Sequence, residues 1–348
     1  MKIGGERNVE QTVVGVIGAG RIGQMHIRNI VCNMPNVRLK TVADTNLDET
    51  WAANQNIEVK TRNSSAVLDD LEIEAVLITT SSTSHVELIK AAAEAGKQIF
   101  CEKPIAFDPA RINEAVQAAK SAGVILQVGF NRRFDSEFVR VHDTVMSGKI
   151  GVPHIVKITN RDPKRPDLNF IPNSGGLFMD FCIHDFDTAR YVTHCEVIEV
   201  YAAGAVLVDP EIGKLNDIDT AVTTLKFNNG SLGIIDNSRE THYGYDQQVE
   251  VFGSKGSIHA CNTKPTNTIL TSEAGVYTDK PYYSFVERYR DAFITELREF
   301  FTCIREKTKP RASGEDAIAA VRIAQAAAQS FKENRPIEVV NDRTMTKA

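Results

Sequence analysis

Val13-Val14-Gly15-Val16-Ile17-Gly18-Ala19-Gly20-Arg21-Ile22-Gly23 decides the fold of the first third of the chain. It opens as a short apolar run, passes through glycines at GxGxxG spacing, and leads into a helical pattern. In that setting Gly18 permits a tight turn, Gly20 lets the backbone approach a pyrophosphate, and Gly23 lets the helix pack closely on the strand. The helix start then offers an anion free N–H groups and the positive end of the helix dipole. Asp44 ends the second expected strand about twenty residues on, where a carboxylate accepts hydrogen bonds from a ribose 2′-hydroxyl and repels a 2′-phosphate. Thr45 and Asn46 follow it, with no arginine to welcome that phosphate, so the expected cofactor is NAD. Gly18, Gly20, Arg21, Ile22, Gly23 and Asp44 form the expected nucleotide site. Taken alone, the glycines also suit a structural turn and Asp44 a helix cap; their combination favours the nucleotide.

Working outward, short β-rich runs alternate with helical patterns from Thr12 to Gly129, the signature of a parallel sheet flanked by helices. Expected strands are Val13–Ile17, Val37–Ala43, Ala75–Thr79, Gln98–Phe100 and Val124–Val128, with a further short one near Glu58–Lys60. Ser84 reads as the N-cap of a helix His85–Ala95 closed by Gly96, and Asp108-Pro109 as the cap and first residue of the next helix. After Gly129 the pattern changes. A helix near Ser136–Ser147, a strand and a charged, proline-rich loop at Arg161–Asp167 precede a helix from about Leu177 to Val192. Strand-like runs follow at Val197–Val208, Thr220–Phe227, Ser231–Asn237, Gln247–Phe252 and Gly256–Ala260, with Asn228-Asn229-Gly230 as a hairpin turn. Two helices, about Ser284–Glu306 and Glu315–Lys332, come last. The expected fold class is α/β plus α+β. A Rossmann dinucleotide-binding domain spans residues 12–130, and a substrate-binding and oligomerisation domain spans 131–340, with a mostly antiparallel open sheet flanked by helices.

With 348 residues, 42% apolar and 24% charged, the chain suits two soluble domains that each bury a core. A formal net charge of -5 supplies no basic field, so nucleic acid is not an expected partner. No run of about 18 apolar residues is present to span a membrane. The opening residues have no apolar signal-peptide core, and the chain reads as cytoplasmic. Six cysteines without a CxxC pair argue against a zinc knuckle or a disulfide framework, and most of them, Cys101 included, are expected to be small core residues. His85, His142 and His154 lack a ligand constellation, and no metal is expected.

Two segments carry the chemistry. Glu102-Lys103-Pro104 follows the fifth strand, which places Glu102 and Lys103 at the carboxyl edge of the sheet, where open α/β folds bind ligands. Both residues therefore join the expected cofactor site. In Gly175–Asp187, Asp180 and His184 are four apart, so on a helix their side chains share one face.

These segments resemble the Gfo/Idh/MocA family of NAD(P)-dependent sugar and polyol dehydrogenases. The likeness covers the N-terminal fingerprint, Glu102-Lys103-Pro104, the run Val128–Phe134 and the Asp180/His184 helix. Within the family the chain is most similar to the inositol 2-dehydrogenases, through Asn131–Asp135, Arg161-Asp162-Pro163, Ser174–Gly176, Ile183–Asp187 and Tyr243–Asp246.

The resemblance implies a catalytic set of Lys103, Asp180 and His184. A hydride leaves carbon readily only if the hydroxyl proton leaves too, and a histidine titrates near working pH. Asp180 favours the imidazolium that forms, and Lys103 stabilises negative charge on the substrate oxygen. A ring of hydroxyls also needs several polar partners, because an unpaired buried polar group costs about 1–3 kcal/mol. Asn131, Arg132, Arg161, Asp162, Tyr243 and Tyr245 are expected to supply them beside Lys103, Asp180 and His184. Asp185 and Asp187 face elsewhere and are assigned structural roles.

The expected reaction is NAD-dependent oxidation of myo-inositol to 2-keto-myo-inositol (scyllo-inosose). The alternatives are a scyllo-inositol or glucose-type dehydrogenase of the same family, or a non-catalytic dinucleotide-sensing regulator. A sensor has no need of a base beside the nicotinamide. An open antiparallel sheet exposes one face unless another subunit covers it, and with the resemblance this implies a homotetramer.

Overall fold

Strand β1 (Thr12–Ile17) is buried along its whole length, which explains its unbroken apolar run: a parallel strand covered on both faces has no solvent side. The computed structural model describes residues 11–55 and 57–340. Residues 1–10, read above as lacking a signal-peptide core, lie outside the described residues.

Around β1 stand β2 (Val37–Ala43), β3 (Val59–Thr61), β4 (Ala75–Ile78), β5 (Gln98–Cys101) and β6 (Leu126–Val128). They form one parallel sheet in the order β3-β2-β1-β4-β5-β6. The chain leaves β1 toward β2 and β3, then crosses back to β4. That change of direction opens a crevice at the carboxyl ends of β1 and β4. Asp108 caps the helix Pro109–Ala122 as expected, and Gly123 closes it in the left-handed conformation. The preceding helix begins earlier than expected, at Ser82, with Ser81 in the cap position. Six consecutive hydroxyl residues, Thr79–Ser84, offer several caps, and Ser84 instead bonds back to Ser81 O at 3.0 Å.

By packing, the described chain divides into two compact units. The first takes Phe293–Glu315 in addition to the chain up to Gly129, although the sequence reading places everything after residue 130 in the second domain. The cause is the helix Arg290–Glu306, whose Leu297, Phe300 and Phe301 join Val14, Ile30, Leu77 and Phe100 in one buried cluster. Gln127 Nε2 also donates to Glu296 O at 2.9 Å.

The second unit is built on β7 (Pro153–Arg161), β8 (Val197–Ala205), β9 (Thr220–Phe227), β10 (Leu232–Ser238), β11 (Asp246–Gly253) and β12 (Gly256–Ala260). Two further strands, β13 (Ile269–Ser272) and β14 (Gly275–Thr278), form a separate hairpin, and β15 (Ile337–Glu338) adds a short edge. The seven-stranded sheet runs β12-β11-β7-β10-β9-β8-β15, antiparallel except where β7 meets β10. Burial alternates strictly along β9, so one face is packed and the other open. The sequence reading misses the β13–β14 hairpin because it has no buried face to imprint a period: every residue of β13 is exposed.

The single helix expected from Leu177 to Val192 is two, Gly176–Asp180 and Ile183–Thr193. Between them Leu177 O accepts from both Phe181 N and Cys182 N at 3.0 Å, a turn widened by one residue. Asp180 and His184 straddle that turn, so the regular four-residue spacing that put them on one face does not apply. Cys101, Cys182 and Cys303 are buried, whereas Cys32 and Cys261 are exposed.

Candidate active site

In the first unit the glycine loop has the backbone its residues were chosen for. Gly18 adopts φ +102°, and a Cβ there would stand 2.6 Å from the carbonyl carbon of Thr79. A Cβ on Gly23 would stand 2.1 Å from Gly18 O, so only glycine lets the helix sit this close to the loop. Gly20 has open space beside it, with nothing within 4 Å of the same position. It precedes the helix Arg21–Asn33, whose start has no side-chain cap and no acidic residue in its first turn. An anion there meets the positive end of the helix dipole, with no acidic residue of the first turn against it. Arg21 is exposed and Ile22 half-buried at that start.

Asp44 is half-buried and accepts from Ala19 N at 2.6 Å through Oδ2 and from Asn46 N at 2.7 Å through Oδ1. It thus ties the end of β2 to the glycine loop, and its carboxylate keeps further lone pairs for a ribose. Asp44 does not cap the next helix, because Asp48 does. These features fit a dinucleotide. Thr79, which the sequence reading leaves out of the site, follows β4 and braces the glycine loop: its hydroxyl donates to Gly18 O at 2.6 Å.

Glu102 and Lys103 stand at the carboxyl end of β5, both half-buried. The Glu102 carboxyl turns toward His26, with 2.7 Å between Oε1 and Nε2, and Oε2 accepts from Lys103 N at 3.2 Å. The structure thus ties the Glu102 side chain to His26, a partner the sequence reading does not name. The Lys103-Pro104 peptide is cis, and the buried His85 holds it from below, with Nδ1 2.9 Å from Pro104 O and Nε2 3.1 Å from Thr80 O.

In the second unit His184 is half-buried in the first turn of Ile183–Thr193, its ring edge-on to Phe130 at 6.3 Å. Asp180 is held by Arg239, whose Nη1 donates to Oδ2 at 3.0 Å. Arg239 is buried, and its guanidinium lies 5.2 Å from the ring centre of Phe181. Nothing in sequence spacing could have found this partner, which lies 59 residues from Asp180.

Arg161 and Tyr243, expected to meet substrate, do come together. Arg161 Nη1 donates to Tyr243 OH at 3.1 Å and Arg161 Nε to Asp236 Oδ1 at 2.6 Å, while Tyr243 also donates to Asp246. Asp162 follows at the end of β7, its N–H bonded to Ser238 O. Asn131 is buried at the start of a short 3-10 turn. Tyr245 is buried too, and desolvation drives its phenol well above the ordinary value, with Arg132 acting in the opposite direction.

Arg132 lies among the buried polar residues of the second unit, as Asn131 does. It is 3% exposed, and its guanidinium pairs with Asp185, which also accepts from Asn160 and Asn237 at 2.8 Å each. Burial raises the Asp185 carboxyl above its ordinary value and Arg132 opposes that. The charge of Arg132 is thus balanced within the core. Asp187 is buried in the same way against Arg133, in keeping with the structural role expected of it.

Residues 12–130 match the oxidoreductase family's NAD-binding Rossmann fold, and residues 143–339 match its C-terminal alpha/beta domain. The chain is 43% identical over 328 residues to the myo-inositol 2-dehydrogenase of Thermotoga maritima, covering 94% of this chain and 98% of that one. It is 35% identical to the scyllo-inositol 2-dehydrogenase (NAD(+)) of Bacillus subtilis over 97% of this chain and 98% of the relative. A crystal structure of scyllo-inositol dehydrogenase from Lactobacillus casei with bound NAD(H) and scyllo-inositol matches with a TM-score of 0.89 at 27% identity, over 95% of this chain and 100% of that one. Sequence, fold and site agree that the chain belongs to the Gfo/Idh/MocA oxidoreductase family, with that family's NAD-binding Rossmann domain and C-terminal α/β domain.

Proposed function

We propose that this enzyme oxidises myo-inositol to 2-keto-myo-inositol (scyllo-inosose). The observation that carries the reading is its 43% identity to the myo-inositol 2-dehydrogenase of Thermotoga maritima, beside 40% to the inositol 2-dehydrogenase of Rhizobium meliloti. Bound NAD supplies the hydride acceptor. His184 removes the hydroxyl proton as general base. Asp180, kept in place by Arg239, favours the imidazolium that results. Lys103 donates to the reacting oxygen and offsets the negative charge that develops there. Arg161, Tyr243, Asp162, Asn131 and Tyr245 serve the remaining hydroxyls. As an NAD-linked enzyme it works in the cytoplasm.

A second reading, scyllo-inositol oxidation, is supported by the 35% identity to the Bacillus subtilis enzyme. NADH formation with a panel of inositol isomers and hexoses separates the two. The highest kcat/KM is expected with myo-inositol, and a preference for scyllo-inositol replaces the first reading with the second.

The open face of the second unit's sheet supports a homotetramer. Leu232, Ile155 and Phe252 stand in one row across β10, β7 and β11, and Ile234 and Val222 extend it on the same face. These side chains are 39–52% exposed, an apolar patch that a second copy would cover.

A further inference from the structure

Two fully buried residues of the first unit, His26 and Glu296, converge on the half-buried Glu102 at the strand end that carries Lys103. His26, three residues past Gly23 on the helix Arg21–Asn33, is fully buried. Its ring meets Phe100 and Phe293 edge-on, and Nε2 lies 2.7 Å from Glu102 Oε1. Glu296, on the helix Arg290–Glu306, is also fully buried, and neither of its carboxyl oxygens has a hydrogen-bond partner. His26 Nδ1 has none either. One nitrogen or oxygen from each of the three residues lies within 4.8 Å of the other two.

Of two carboxyl groups so close, the one with no access to water is the one disfavoured as an anion, because it loses its hydration and like charges repel. Desolvation, reinforced by the charge of Glu102, holds the Glu296 carboxyl well above its ordinary value. Glu102 is the member with donors around it, His26 on one oxygen and Lys103 N on the other. The charge of Glu102 is also felt by Cys101 and His85. A Cβ on Gly129 would stand 2.8 Å from Glu102 Oε2, so glycine there makes room for the carboxylate.

A metal ion is the competing occupant. Two ligands around a tetrahedral zinc with bonds of about 2.0–2.1 Å stand about 3.3 Å apart. The 2.7 Å between His26 Nε2 and Glu102 Oε1 is instead a hydrogen-bond length.

We propose that His26, Glu102 and Glu296 form a buried proton-holding cluster that positions the Glu102-Lys103 strand end for the reaction. Glu296 carries the proton, so that the neighbouring Glu102 carboxylate meets a neutral group there while His26 Nε2–H holds it from its other side. Glu102, braced in this way, accepts Lys103 N–H and fixes the backbone from which the Lys103 side chain reaches the substrate. Glu296 and His26 are positioning residues. The consequence for turnover rests on the dehydrogenase reading above, whereas the proton is read directly.

In infrared difference spectra of the full-length enzyme against Glu296→Gln at neutral pH, the C=O stretch of a protonated carboxylic acid is expected in the wild type and lost in the variant. Glu296→Ala is expected to lower kcat about tenfold with KM for NAD little changed, and the neutral isostere in Glu296→Gln to restore most of that loss. The cluster is overturned if the acid band is absent, if Glu296→Gln is as impaired as Glu296→Ala, if Glu296→Ala folds with unchanged kcat, or if a stoichiometric divalent metal is found. Should Glu296→Ala fail to fold, the infrared band and the turnover of Glu296→Gln still decide. An acid band in an enzyme that oxidises no polyol would uphold the protonated Glu296 and refute the dehydrogenase reading, so the two fail separately.

Discussion

Removing the His184 imidazole leaves the hydroxyl proton without a base, so His184→Ala is expected to lower turnover by about 10²–10⁴. NAD affinity, followed by fluorescence titration, stays near wild type because the glycine loop and Asp44 are untouched. Lys103→Ala is also severely impaired. The double variant loses less than the product of the two effects if both residues act on one developing charge. Near-normal kcat in His184→Ala would return this histidine to a structural role. Arg239→Met separates position from chemistry, since it removes the partner of Asp180 while leaving Asp180 and His184 present. Breaking a buried pair costs about 3–5 kcal/mol when both members are buried. Asp180 keeps 19% exposure, so a smaller loss in thermal stability is expected, together with a fall in kcat of about tenfold. An Arg239→Met enzyme with wild-type kcat would show that Asp180 needs no anchor.

Gly20 and Gly23 belong to one loop and one helix start, yet the structure assigns them different failures. Gly20→Ala meets nothing within 4 Å, so the fold and Tm are expected to survive while the added methyl group obstructs the pyrophosphate and raises KM for NAD. Gly23→Ala places its methyl 2.1 Å from Gly18 O, forcing helix and strand apart at about 1–3 kcal/mol. Its Tm is expected to fall along with NAD affinity. Melting curves and NAD titrations on both variants check the distinction, and equal behaviour of the two would refute it. The loop and the end of β2 were legible in the sequence because the function of each residue depends on its local backbone. The widened turn at Phe181 and Cys182 was not, since its residues carry the same helical pattern as their neighbours.

For the whole molecule, the exposed row on the second unit's sheet gives the assembly its test. A charge placed in that row, as in Ile234→Lys, opposes burial of the face against another copy while leaving the packed face alone. The wild type is expected to run as a tetramer in light scattering and Ile234→Lys as smaller species with unchanged secondary structure; a monomeric wild type refutes the assembly. Stability against pH tests the buried acid. The folded-state value of Glu296 lies above its ordinary 4.5, so its stabilising contribution is full below that value and is lost as pH rises toward the folded-state value. Glu296→Gln removes this term, and its Tm is expected to decline less than that of wild type as pH increases. Parallel Tm curves for the two proteins would mean that Glu296 is already ionised in the fold.

The sequence by itself determined the parts whose cause is local. Glycine spacing, a run of apolar residues, a cap before a proline, and alternation along a half-buried strand each leave a short-range mark, and from these came the nucleotide loop, Asp44, the parallel sheet and the mostly antiparallel second half. The tertiary structure decided which residues work together across long stretches of chain. It paired Arg132 with Asp185, fastened Asp180 to Arg239, drew Phe293–Glu315 into the first unit, and gathered His26, Glu102 and Glu296. Buried charges must find partners, and those partners are set by which elements pack together, a property that no local pattern of residues records.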